Sequence, residues 1–178
     1  MKKKILTLFL SAIFLLSPLI LLSCGEKKAN DSASTKNMID EIWRLYIAED
    51  KGISYISETT DDMYYFDNDV LSGKYGGISS SPLVTDMESY AAFYSFENYG
   101  AEYGIFRMKS ADLAKEMKSF IESRIAAMLK NAVNYPSLDT TLLKNAVIKL
   151  DGKWVYYIMS DNNEKLGEII EKYMYEET

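Results

Sequence analysis

Leu21-Leu22-Ser23-Cys24-Gly25 sets the only cysteine of the chain beside small residues, directly after a short basic and apolar leader. This spacing reads as a lipoprotein processing site, in which residues 1–23 are removed as a signal peptide and Cys24 becomes the lipid-bearing first residue. Lys2, Lys3 and Lys4 supply the positive start, and Ile5 to Leu22 an apolar run interrupted by Thr7, Ser11, Ser17 and Pro18. Leu21 and Ser23 fit the usual lipobox, whereas Leu22 stands where a smaller residue is commoner. The competing reading is an uncleaved anchor helix, because a run of about 18 residues lies near the lower limit for spanning a bilayer. Pro18 and the small-residue junction at Cys24 have no use in a plain anchor. Positive charge stays inside, which leaves Cys24 at the outer, extracytoplasmic face of the cell membrane. Two or more acyl chains there, palmitate among them, would hold the body firmly where one would not.

No other constellation is as specific. Histidine is absent from the sequence, which removes the commonest general base at neutral pH and the commonest metal ligand. Ser-His and Cys-His hydrolases and His-ligated zinc are excluded, and an acylated Cys24 leaves no thiol for a disulfide or thiolate cluster. Acid pairs such as Asp61/Asp69 or Glu97/Glu102 have the residue types of a glycosidase pair, but a chain with 26 acidic residues supplies such pairs anywhere. Asp67-Asn68-Asp69 opens like a calcium loop, yet the pattern fails at Leu71 and lacks its closing glutamate. Asp61, Asp62, Asp67 and Asp69 with Tyr64, Tyr65 and Phe66 read instead as solvated acids beside a partly buried aromatic cluster. Ser72-Gly73-Lys74-Tyr75-Gly76-Gly77 lacks the Gly-Lys-Ser/Thr ending of a phosphate loop and reads as a turn. No catalytic residue, metal or cofactor is assigned.

Charge excludes nucleic acid as a partner. The full chain carries a net charge of −6, and loss of the leader's three lysines leaves 17 basic against 26 acidic residues, a net of −9. Phosphate backbones are bound by basic stripes, whereas these Lys and Arg residues are scattered among more numerous acids. An anionic bilayer would repel such a body, so the expected membrane contact is the lipid on Cys24.

The elements that must position any site follow from periodicity. Residues 24–35, the lipidated Cys24 and a small polar stretch to Thr35, bury too little to order themselves and read as a flexible tether. Residues 36–178 suffice for one domain. From Lys36 to about Asp50, Met38, Ile39, Ile42, Leu45 and Tyr46 recur at helical spacing, with Trp43 and Ile47 widening the stripe. Between Ile53 and Met87 the signals weaken. Tyr90 to Phe96 and Glu102 to Lys109 then read as a hairpin around Glu97-Asn98-Tyr99-Gly100-Ala101. Ser110 caps a helix striped by Leu113, Met117, Phe120, Ile121, Ile125 and Met128, which Asn134-Tyr135-Pro136 ends. A second hairpin runs from Ala146 to Leu150 and from Lys153 to Met159 about an Asp151-Gly152 type I′ turn, with Leu150 beside Lys153 and Ile148 beside Val155. Asp161 and Glu164 form a capping box for a last helix that buries Leu166, Ile169, Ile170 and Tyr173. The expected fold is α+β, a single antiparallel sheet from two β-hairpins with helices packed against it, in the order α-ββ-α-ββ-α.

Ala101 through Lys109, the helix to Leu129, Asn145-Ala146-Val147, Gly152-Lys153-Trp154-Val155 and the final helix together resemble the bacterial lipoprotein family called domain of unknown function 4358. The resemblance spans roughly residues 36 to 176. It implies an exported, lipid-anchored protein of a Gram-positive, low-GC bacterium, and carries no activity to any residue.

The expected function is a non-catalytic binding or interaction module for a protein or cell-wall partner. Fourteen tyrosines exceed the need of one core, and tyrosine suits contact surfaces; lining the sheet is its simpler use. The alternatives are a carboxylate-dependent hydrolase of cell-wall glycans and an accessory or scaffold subunit.

Overall fold

A computed structural model describes residues 29–47, 51–59, 65–77 and 80–175. At its centre are the two expected hairpins: β2 (Met87–Ser95) with β3 (Glu102–Met108), and β4 (Val147–Asp151) with β5 (Trp154–Met159). A further strand, β1 (Gly52–Ile56), pairs with β2, giving the order β1-β2-β3-β5-β4 with every pairing antiparallel. The fold is therefore α+β with one antiparallel sheet. β1 lies in the stretch where sequence signals weaken, because five residues of alternation are too few to stand out.

Both faces of this sheet are covered, so β5 is buried at every position rather than at every other one. Tyr90, Ala92, Tyr94, Phe106, Val155 and Tyr157 point to one side, where they meet α2 (Asn68–Tyr75), α3 (Ala111–Ala132) and the short α4 (Thr141–Lys144). Ala91, Phe93, Tyr103, Ile105, Trp154, Tyr156 and Ile158 point to the other, against α1 (Thr35–Ile42) and α5 (Asn163–Tyr175). The period-2 alternation of strands thus divides one sequence run between two cores.

The structure corrects several local expectations. In the second hairpin Asp151 pairs with Trp154, Leu150 with Val155 and Ile148 with Tyr157, two residues from the expected register. The reason is that the loop is Gly152-Lys153: Gly152 takes φ 55° while no non-glycine residue among the described ones has positive φ, the requirement of a type II′ turn with glycine first. Because the slip is even, each side chain keeps its expected face. The first helix stays α-helical only to Ile42, and Trp43–Ile47 form a π-helical turn. Its i→i+5 closure rotates Trp43, Leu45 and Tyr46 outward, and all three are exposed. Ser72 to Tyr75, read as a turn, close α2, which Asp67 starts by accepting the Val70 N–H at 2.7 Å.

The Asp161–Glu164 capping box is replaced by Asn163 accepting the Ser160 N–H at 2.8 Å and the Ser160 hydroxyl accepting the Asn162 N–H at 3.1 Å. α5 buries Met174 with Leu166, Ile169 and Ile170, and Tyr173 is only partly buried. Residues 29–35, expected within the flexible tether, are instead seated on the domain, with Ala29, Ala33 and Thr35 buried and the Asn30 N–H donating to the Met174 carbonyl at 2.6 Å. Composition alone could not order this segment, but backbone hydrogen bonds to a preformed surface do. Among the described residues no helix is long and apolar enough to cross a membrane. The leader, Cys24, Asp61, Asp62 and Tyr64 lie outside the described residues.

Candidate functional site

A cleft of about 510 Å³ opens at one end of the sheet. It forms where the β2–β3 connection, the loop after α3 and the β5–α5 junction converge, with Tyr46 of the π-helical turn at its side. Aromatic rings of Tyr46, Phe93, Tyr99 and Tyr103 contribute to its walls, and none of its described lining residues is a lysine or arginine. Four lining residues are acidic: Glu97, Glu102, Asp139 and Asp161. Glu97 pairs with Lys51 at 3.0 Å. Asp139 accepts the Thr141 N–H at 2.8 Å, and hydrogen bonds from Thr141 hold its carboxyl below the usual range. Phe93 and Tyr103 stack at 5.5 Å, and Trp43 meets Phe93 edge-on at 6.3 Å, so the rotated π turn and the strands build one aromatic wall. Burial raises the Tyr103 hydroxyl's pKa well above its ordinary value, with the Trp43 side chain its polar neighbour.

Glu102 forms the floor and is 4 % exposed. A buried carboxylate persists only when paired and hydrogen-bonded, and here Arg124 supplies a two-point clamp, Nε to Oε1 at 2.7 Å and Nη2 to Oε2 at 2.6 Å. The Tyr157 hydroxyl donates to Oε1 at 3.0 Å; Tyr157 reaches Tyr75 at 2.8 Å and Tyr75 reaches Tyr94 at 2.5 Å. Arg124 Nη1 donates to the Lys74 carbonyl at 2.9 Å, tying α3 to the end of α2. Burial and the Glu102 charge raise the Tyr75 and Tyr157 pKa values, so both hydroxyls stay protonated as donors. Burial works against the Arg124 charge, and the Glu102 carboxylate overrides it, keeping the guanidinium firmly cationic. Lys74 Nζ lies 4.0 Å from the centre of the Tyr94 ring; burial first, then Arg124, lowers its pKa. Gly104 makes the network possible, because a Cβ there would stand 2.6 Å from the Tyr157 ring and 2.7 Å from that of Phe106.

Of the acid pairs considered from sequence, Glu97 and Glu102 do line one cleft, each bound to its own cation. Asp67 caps α2 and Asp69 lies exposed in its first turn, while Asn68 Oδ1 accepts the Val84 N–H at 3.1 Å. Among the described residues no group of three or more His, Cys, Asp or Glu is placed to hold a metal ion. Six of the thirteen described tyrosines, Tyr75, Tyr90, Tyr94, Tyr103, Tyr156 and Tyr157, are buried, and Tyr55, Tyr99, Tyr173 and Tyr175 are partly buried. Sequence reasoning missed Arg124, although a signal existed: Met117, Ile121, Arg124, Ile125 and Met128 share one helical face, and a charge in a core-facing register needs a buried partner. In comparisons with protein-family models, characterised proteins and solved structures, none matches the chain.

Proposed function

We propose that this protein is a lipid-anchored extracytoplasmic binding module, held by lipid on Cys24 at the outer face of the cytoplasmic membrane, with the sheet-end cleft as its contact surface. The cleft itself carries the binding reading: aromatic walls and acidic rims stand over a floor fixed by the Glu102–Arg124 clamp. A recognition site gains from such rigidity because little ordering remains to be done on binding. The anchor reading rests on the leader and the Leu21-Leu22-Ser23-Cys24 junction, and the resemblance to the domain of unknown function 4358 supports export without adding an activity.

The competing hydrolase reading requires a carboxyl raised to act as an acid. Asp139 of the cleft rim is instead held below the usual range by its hydrogen bonds from Thr141, the opposite of what an acid catalyst needs. Two experiments test the proposal. Cys24→Ala should abolish fatty-acid incorporation and release the protein from membranes; unchanged labelling rejects the anchor. A photo-crosslinking residue at Tyr46 or Asn98 should capture a partner on intact cells that the same residue at exposed Glu122 does not. Equal adducts at both positions reject the cleft as the contact surface.

A further inference from the structure

We propose that the domain is mounted with its cleft held off the bilayer, so that the cleft takes a water-borne ligand of the extracytoplasmic space rather than a lipid. This rests on lipidation at Cys24 and otherwise on the seating of residues 29–36. The contacts of that segment gather at one end of the sheet. Arg107, next to the last residue of β3, donates to the Asp31 carbonyl, and Met174, near the end of α5, accepts from Asn30. Glu58, two residues past β1, accepts from the Ser34 and Thr35 hydroxyls at 2.6 and 2.9 Å and from the Lys36 N–H at 3.2 Å.

The cleft gathers at the opposite end. Glu102 begins β3 and Met159 ends β5, and the antiparallel register sets these two side by side. Between the ends lies the seven-residue length of β3, about 20 Å at roughly 3.3 Å per residue. From Cys24 to Ala29 there are five peptide links, which span at most about 18 Å whatever conformation they take. A leash of that length, starting at the far end of the sheet, cannot pass along the whole domain and still deliver acyl chains into a bilayer on which the cleft rests. The seated segment therefore sets which end of the domain faces lipid, a role that neither the leader nor the cleft shows alone.

The test uses the lipid-modified full-length protein in phosphatidylcholine vesicles that carry nitroxide-labelled headgroups. Cys24 is the only cysteine, and its thiol is occupied in the lipid-modified protein, so a single introduced cysteine takes a fluorophore selectively. Lys109→Cys reports the leash end, just past β3, and Ser137→Cys the cleft rim; both positions are exposed. The Lys109 label should lose most of its fluorescence and the Ser137 label little. A spacer of on the order of 20 Gly/Ser residues inserted before Ala29 should remove the difference. Equal quenching without the spacer, stronger quenching at Ser137, or none at either label on vesicle-bound protein overturns the orientation. Vesicle binding that survives Cys24→Ala instead overturns the anchor, a separate outcome read by flotation.

Discussion

Replacing Arg124 with Leu would leave the Glu102 carboxylate buried without its clamp, and removal of one partner of a buried pair costs far more than the pair's net worth. Arg124→Leu should therefore destabilise the domain by about 3 to 5 kcal/mol, and the double variant Glu102→Leu/Arg124→Leu should recover much of that loss. Urea unfolding of the two variants decides it; equal losses would mean that the pair is not energetically coupled. Glu58 acts at a different pH. Burial works against its charge, but hydrogen bonds from Ser34, Lys36 and Thr35 hold its carboxyl below the ordinary value. A carboxyl depressed in the folded state contributes stability above its unfolded pKa, and that contribution disappears as pH falls through the folded value. Acidification from neutrality to about pH 3 should therefore loosen the start of α1, seen as faster amide exchange over residues 29–42 than in the sheet. Exchange that accelerates equally throughout would contradict the local role of Glu58.

Among the elements, α3 shows how far a stripe can be trusted. Ser110 accepts the Leu113 N–H at 3.2 Å as the expected cap, and Met117, Ile121 and Ile125 are buried as spacing implies. Phe120, in the same expected stripe, is only partly buried, because it stands at the margin of the contact with the sheet. Ile121→Ala should cost about 2 to 5 kcal/mol and Phe120→Ala less, while charge changes at Lys118 or Glu122 should stay within about 0.5 kcal/mol. A Phe120→Ala variant weaker than Ile121→Ala in chemical denaturation would show that the helix buries a different face. The π-helical turn carries the opposite lesson. Its apolar residues were legible as a stripe, but the widened turn sends Trp43 and Tyr46 toward the cleft end instead of the core.

At the scale of the whole molecule, the segment before α1 belongs to the domain. Removing residues 29–35 deletes the bonds to Met174 and Arg107 and the buried Ala33 and Thr35. A chain beginning at Lys36 should be less stable than one beginning at Ala29 by at least about 2 kcal/mol, from lost hydrogen bonds at roughly 1 kcal/mol each and lost burial. Matching thermal midpoints for the two chains would return the segment to the status of a tether.

Sequence by itself determined the hairpins, the long helix and its cap, because these depend on contacts between near neighbours: alternation, a Gly-containing turn, and a serine before an apolar stripe. It also fixed what chemistry a chain without histidine excludes. The tertiary structure decided the rest. Whether Glu102 is a solvated acid or a clamped floor depends on Arg124, 22 residues away, and on Tyr157, 55 residues away. The seating of Ala29 to Thr35 depends on Met174, Arg107 and Glu58. Local periodicity contains no information about such partners, since they become neighbours only when β3 inserts between β2 and β5 and both faces of the sheet are covered.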